Sequence, residues 1–262
     1  LKPRKIEKIF ITHMHGDHIF GLPGLLSSRA FQGGDTPVTI YGPKGIKQYV
    51  TLSLKLSHSH LRYGIRFVEI EQEGKLFEDE QFVVTTKRLQ HGVPSYGFRI
   101  VEKDRKGELM ADKLQELGVP FGPLFGKLKK GETIVLDDGQ EINGQDFIGP
   151  RQKGRIVTIL GDTKYCEQSI ELAKDADVLV HESTFLNKDK ELAHSYNHST
   201  NIEAVTVAKK AGAAKLLLTH ISARYLYAES KLMEKEAQKL FSNTFVMSDF
   251  TEVSIPLKRE EG

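Results

Sequence analysis

Thr12-His13-Met14-His15-Gly16-Asp17-His18 follows directly on the apolar run Ile9-Phe10-Ile11. Three imidazoles and a carboxylate fall together where a strand should give way to a loop. Packing does not call for such a cluster; a metal does. In an extended segment, residues two apart point the same way, so His13 and His15 can grip one ion. Beyond Gly16 the chain can turn, letting Asp17 and His18 face a second. Nitrogen and carboxylate donors without cysteine suit zinc in an open, catalytic site, with manganese as the substitute. The plain alternative is a histidine loop that touches nothing, but H-x-H-x-D-H with a glycine hinge is far rarer than a lone H-x-H.

Further ligands should stand where strands deliver polar groups to a sheet rim. His91 precedes the loop-forming Gly92-Val93-Pro94-Ser95. Asp162 closes Val157-Thr158-Ile159-Leu160-Gly161, and His220 closes Leu216-Leu217-Leu218-Thr219. Any one of them could be a satisfied core histidine or a capping aspartate; three of them behind the first cluster read as one site.

Strand-like runs recur at 5–11, 38–41, 65–70, 82–86, 96–101, 155–160, 178–181, 215–219, 245–247 and 251–257, with helical runs at 44–56, 167–174, 201–211 and 229–241. The last carries Leu232, Met233, Ala237, Leu240 and Phe241 near a 3.6-residue period. Ser199-Thr200 with Glu203 downstream is a helix-start signature. Early strands read as hairpins and later ones alternate with helices, an α/β pattern of two packed sheets with helices outside.

From about 104 to 153 this rhythm dissolves. A short helical piece at 110–117 leads into a Gly/Pro-rich stretch, 118–131, where Phe121, Leu124 and Phe125 are candidates for exposure. Asp138-Gly139 between 133–136 and 141–142 predicts a small hairpin. A stretch of this length is a functional projection or a solvated insertion, and it reads as a protruding arm. Lys127, Lys129 and Lys130 at its tip, with Arg151, Lys153 and Arg155 at its base, are suited to phosphates.

With 262 residues the chain fits one large domain or one domain with an insertion, and its net charge of +2 does not announce nucleic acid. The single cysteine, Cys166, excludes an internal disulfide framework, makes a reducing cytoplasm the simplest home, and reads as a small buried thiol. No apolar run approaches the roughly 20 residues that span a bilayer, and no secretory signal precedes the first strand. The chain opens on Leu1 and enters the histidine run almost at once, which reads as a fragment lacking upstream residues.

The motifs together resemble the metallo-β-lactamase superfamily and, within it, the ribonuclease Z family of tRNA 3′-end endonucleases. The likeness rests on 13–26, through Phe20-Gly21-Leu22-Pro23-Gly24-Leu25-Leu26; on His181-Glu182-Ser183-Thr184 followed by His198-Ser199-Thr200; on His220-Ile221-Ser222-Ala223-Arg224-Tyr225; and on the Gly/Pro-rich insertion. It implies an αββα sandwich as a single domain over 1–262, with about 104–153 inserted as a flexible arm that binds tRNA. About fifty residues with which the family begins are absent. Two zinc ions per subunit are implied, His13, His15 and His91 holding one, Asp17, His18 and His220 the other, and Asp162 bridging.

The resemblance further implies a zinc-dependent endoribonuclease that removes the 3′ trailer from precursor tRNA by two-metal hydrolysis. Asp17 would accept the water's proton, His198 held by Glu182 would protonate the departing oxygen, and Ser222 and Arg224 would steady a phosphate. A homodimer in which one subunit's arm serves the other's site is implied as well. Two rivals stand beside this reading: a small-molecule phosphodiesterase or thioesterase of the same fold, and a silent RNA-binding module. His58 and His60, with no Asp-His behind them, read as surface or interface residues. His194 is a sequence neighbour that could be mistaken for His198.

Overall fold

The computed structural model describes residues 2–259, which fall into two compact units, one of residues up to Val101 with Ile156–Val253 and one of Glu102–Arg155 with residues from Ser254 on.

In the first unit, β1 (Lys8–Phe10), β2 (Val38–Gly42) and β3 (Ile65–Glu69) form an all-parallel sheet. This overturns the expectation of early hairpins. The crossovers are α1 (Gly16–Ile19) and α2 (Gly21–Phe31) after β1, and α3 (Ile46–Leu56) after β2. Helix α2 escapes a reading by propensity because it begins Gly-Leu-Pro-Gly. Pro23 lies in the first turn, where a missing N–H deprives nothing. Leu22, Leu26 and Ala30 of α2 with Ile46 and Val50 of α3 bury against Val38 and Ile40. Fully burying one such Leu, Ile or Val is worth about 1.5–3 kcal/mol.

The second sheet runs β13-β12-β11-β10-β6-β5-β4, with β4 (Gly74–Glu78), β5 (Phe82–Leu89), β6 (Ser95–Glu102), β10 (Ile156–Ile159), β11 (Val178–Glu182), β12 (Leu216–Thr219) and β13 (Thr244–Val246). Strands β10 to β13 are mutually parallel, while β6 is antiparallel to β10 and β4 to β5. On its outer face α6 (Glu167–Ala173), α8 (Asn201–Ala211) and α9 (Tyr227–Leu240) bury Leu172, Val205, Ala208 and Met233 against Leu179, Leu216 and Leu218. The predicted helix start holds. The Thr200 side chain accepts the Glu203 N–H, the Glu203 carboxylate accepts the Thr200 N–H, and Gly212 closes α8 in the left-handed region. The remaining helix, α7 (Lys190–Ser195), follows β11. Between the sheets, Phe10 stacks on Tyr41 with centroids 4.7 Å apart and meets Phe98 at 5.4 Å. The αββα sandwich is thus present.

The second unit holds α4 (Ala111–Glu116), α5 (Pro123–Lys129), the hairpin β7 (Thr133–Val135) and β8 (Glu141–Asn143), and β9 (Gln152–Lys153) paired with β14 (Lys258–Arg259). It has its own apolar centre of Leu114, Val119, Leu128, Ile134 and Ile142. Leu124 and Phe125 pack against that centre, contrary to expectation, and only Phe121 of the three is exposed. The buried Glu102 carboxylate is paired with Arg155 and Arg105; the Arg155 hydrogen bond, with help from Arg105, holds its pKa down to about 2. The run 251–257 is not a strand. Its alternation does appear in burial, with Val253, Ile255 and Leu257 half-buried, but a ladder needs a neighbour and none is assigned to it among the described residues.

Candidate metal centre

The histidine run leaves β1 clamped on both sides. Ile11 N–H donates to the Tyr41 carbonyl at 2.8 Å, and the Thr12 carbonyl accepts the Tyr96 N–H at 3.0 Å. Backbone up to His15 is extended (φ −64°, ψ 149° at His15), and Gly16 starts α1. The turn expected past Gly16, which separates His15 from Asp17 and His18, is therefore the first turn of a helix. A Cβ at 16 would lie 2.3 Å from the far edge of the Phe20 ring, an exposed side chain that would have to swing aside.

Asp162 arrives from the opposite side, three residues beyond β10. At Gly161 a Cβ would sit 2.7 Å from Thr12 Cβ and from Ser95 Oγ. Gly161→Ala should therefore destabilise the fold by about 1–3 kcal/mol, read as a lower urea midpoint. An unchanged midpoint would refute the crowding. His220 takes a left-handed backbone, φ +56°, to bring its ring into the cluster directly after β12.

These side chains converge. His15 Nδ1 lies 3.2 Å from His91 Nε2, and His18 Nε2 lies 3.3 Å from His220 Nε2. One Asp162 carboxylate oxygen is 3.3 Å from His220 Nε2, 3.4 Å from His18 Nε2 and 3.6 Å from His13 Nε2. Asp17 Oδ2 lies 3.3 Å from His18 Nε2 and 3.5 Å from His220 Nε2. The donor atoms of His13, His15 and His91 lie within 4.8 Å of one another, as do those of Asp17, His18 and His220 and those of His13, His18 and Asp162. All seven predicted ligands are brought together.

Hydrogen bonds behind the rings settle two tautomers. His91 Nδ1 faces the Asn197 carbonyl at 2.8 Å. A carbonyl only accepts, so Nδ1 carries the proton and Nε2 presents a lone pair. Asn197 reaches this pose with φ +60°, which asparagine tolerates. Thr184 Oγ1 donates to Glu182 Oε2 at 2.8 Å, so toward His220 Nδ1, also at 2.8 Å, it must accept. His220 Nε2 is then likewise a lone pair facing inward. His13 Nε2 is buried without a hydrogen-bond partner. Burial dominates the His13 ring and lowers its pKa to about 3, which keeps it neutral. At Asp162 burial pushes the other way, but the His18 hydrogen bond, helped by the imidazoles around it, holds its pKa at about 2. Inward lone pairs, an orphaned buried nitrogen and an ionised carboxylate are what a divalent cation requires. Two nitrogens on one zinc at about 2.0–2.1 Å each would sit close to the observed nitrogen–nitrogen separations. The residues fit the group.

The expected dyad is also assembled. His198 Nδ1 donates to Glu182 Oε1 at 2.9 Å. That oxygen also accepts the Thr163 and Ser199 N–H groups at 3.1 Å, and Oε2 accepts the Thr184 N–H at 3.0 Å. Burial works against the charged His198 ring, yet the Glu182 hydrogen bond and charge, aided by Asp162 and Asp17, raise its pKa. His198 Nδ1 lies 3.9 Å from Asp162, but its proton is committed to Glu182, so it is not a ligand through that atom.

Ser222 N–H donates to the Thr184 carbonyl at 3.1 Å. The Arg224 guanidinium rests 5.1 Å from the centre of the Phe185 ring, itself 6.1 Å from the His198 ring. Lys127, Lys129 and Lys130 are exposed at the end of α5 in the second unit. His194 instead pairs with Glu203 at 2.7 Å, His58 and His60 are exposed and join none of the described metal-capable groups, and Cys166 is buried beside Thr163 and Ser169. Sequence reasoning assigned no role to Thr184, Thr163 or Asn197. Only their place beside the ligands could have marked them, because Thr and Asn carry no metal-binding signal of their own.

The family model described as a beta-lactamase superfamily domain matches residues 1–111 and 133–221 and passes over 112–132. A ribonuclease Z of Bacillus cereus (strain AH187) is 58% identical over 259 residues, covering 99% of this chain and 84% of that protein. One from Bacillus thuringiensis (strain Al Hakam) is 57% identical over the same length and coverage. Among solved structures, the short form of human tRNase Z is 31% identical with a TM-score of 0.66, covering 98% of this chain and 82% of that one. A long-form RNase Z from yeast, at 20% identity and a TM-score of 0.56, covers 85% of this chain and 29% of its own.

Proposed function

From membership of this chain in the ribonuclease Z family of the beta-lactamase superfamily, we propose that it is a zinc-dependent endoribonuclease removing the 3′ trailer of precursor tRNA. The observation that carries this is the pair of facing nitrogens on either side of one Asp162 carboxylate, with the Glu182–His198 pair beside it. His13, His15 and His91 would hold one ion, Asp17, His18 and His220 the other, with Asp162 shared; manganese is the substitute. Two ions so held supply a nucleophile at neutral pH and neutralise charge on the attacked phosphate.

The chain's own groups do the rest. Asp17, exposed at the rim, takes the proton of the attacking water. His198, its Nδ1–H fixed on Glu182, releases a proton from Nε2 to the departing oxygen. Ser222 and Arg224 steady the phosphate. The products are a tRNA with a 3′-OH and a trailer with a 5′-phosphate. The test is to map the cut on a precursor tRNA lacking CCA, with zinc supplied. A single cut at the start of the trailer is expected. Hydrolysis of bis-p-nitrophenyl phosphate alone would favour a small-molecule hydrolase of the same fold.

The second unit is read as the tRNA-binding arm of a single hydrolase domain. Family likeness extends this to a homodimer in which one subunit's arm serves the other's site, and to a cytoplasmic location. No helix among the described residues is long and apolar enough to cross a membrane. Deleting 118–131 would strip Val119 and Leu128 from the unit's apolar centre, so charge removal is the cleaner probe. With Lys127, Lys129 and Lys130 replaced by Ala, tRNA affinity should fall. The slope of log K against log salt should flatten by up to about 2–3, at about 0.7–0.9 for each phosphate no longer neutralised. Hydrolysis of bis-p-nitrophenyl phosphate should not change. An unaltered slope would remove the lysines from the interface.

A further inference from the structure

The geometry points to Thr184 as a positioning residue whose one hydroxyl sets the ligating tautomer of His220 and braces the Glu182 carboxylate that aims His198. The inference rests on the reading of those histidines given above, and it concerns a residue that neither touches substrate nor ligates metal.

Glu182 is engaged as an acceptor on both oxygens: Oε1 takes Thr163 N–H, Ser199 N–H and His198 Nδ1–H, and Oε2 takes Thr184 N–H. The Thr184 hydroxyl has one proton, and it goes to Glu182 Oε2 at 2.8 Å. Its lone pairs then meet His220 Nδ1 at 2.8 Å and His198 Nδ1 at 3.2 Å. The His220 contact can be a hydrogen bond only if that Nδ1 carries its proton, which leaves His220 Nε2 for a metal; the single Nδ1 proton of His198 goes to the nearer Glu182 Oε1, and Thr184 at most shares it. Thr184 is 7% exposed, so water is poorly placed to replace the hydroxyl. The same residue's carbonyl accepts the Ser222 N–H, joining the segment after β11 to the segment after β12. One side chain therefore links His220 to the carboxylate that holds His198. Partners behind metal-bound histidines typically govern metal retention or rate by about 10–100-fold.

Valine at 184 keeps the shape and removes the hydroxyl; serine keeps the hydroxyl and removes the methyl. Two readouts separate this role from simple packing. The first is zinc retained per chain against a competing chelator, by elemental analysis, which needs no RNA and so stands even if the tRNA reading fails. The second is kcat and KM on precursor tRNA. Thr184→Val should weaken zinc retention and lower kcat, each by about 10–100-fold, with KM nearly constant and circular dichroism preserved. Thr184→Ser should restore most of both. If valine perturbs the fold, Thr184→Ala, which is smaller, makes the same comparison with serine. Parent-like zinc retention and kcat without the hydroxyl would overturn the proposal, and so would a serine variant as impaired as the valine one.

Discussion

Replacing His198 by Ala lowers kcat on precursor tRNA by about 10²–10⁴-fold, the usual share of a general acid, while KM stays close to its original value. The ring is fixed by its Nδ1–H bond to Glu182 Oε1 at 2.9 Å, and Glu182 is itself buried and held by backbone N–H groups of Thr163, Thr184 and Ser199. Such a carboxylate does not move to follow the ring; the ring is aimed by it. Burial alone would lower the His198 pKa, but the Glu182 hydrogen bond and charge outweigh it and raise the value. The imidazole therefore retains its second proton closer to neutrality than an unassisted one would. On the proposed role of His198, alanine would remove a proton source and no substrate contact, so affinity should survive. Parallel losses in kcat and affinity would show that His198 binds tRNA instead. Steady-state kinetics with labelled precursor distinguishes the two.

Stripping the chain of metal should have a comparable effect on activity and a large one on stability. Dialysis against a chelator should abolish turnover of both precursor tRNA and bis-p-nitrophenyl phosphate, and added zinc should restore both. Zinc at a thousandfold excess over its Kd stabilises the native state by about 4 kcal/mol. For a unit of this size that raises the melting temperature by about 8–16 °C. The physical reason is the state of the ligands without an ion: inward lone pairs on His91 and His220, an orphaned Nε2 on His13, and Asp162 shared among imidazoles. A chelated protein with full activity and an unchanged melting temperature would exclude a metal centre.

The seven side chains that converge were legible because such residues carry their chemistry in their names. Histidine and aspartate at strand ends announce themselves, and the H-x-H-x-D-H run fixes four of the seven at once. What stays hidden is whatever depends on three-dimensional neighbours. Thr184, Asn197 and Thr163 act through hydrogen bonds to residues distant in sequence. In the fold, the buried strands and α8 were readable from apolar runs and a capping signature. Helix α2 was not, because Gly21 and Gly24 oppose helix formation locally, Pro23 reads as a breaker although the first turn tolerates it, and packing of Leu22 and Leu26 on the first sheet decides the outcome. The same local view mistook parallel crossovers for hairpins. It also read Leu124 and Phe125 as exposed, since periodicity cannot see the small apolar centre they complete.

The left-handed peptide at His220 bears on how this protein could be improved by selection. A non-glycine residue in that conformation carries strain of about 1–3 kcal/mol, and His220 adopts it directly after β12 with its ring in the cluster. Glycine would relieve the strain but discard the ring, and with it the larger stabilisation, about 4 kcal/mol, that a bound ion would supply. A laboratory screen for heat tolerance with zinc present and one for turnover should therefore both keep histidine at position 220. Only a screen run in chelator would reward loosening the chain there.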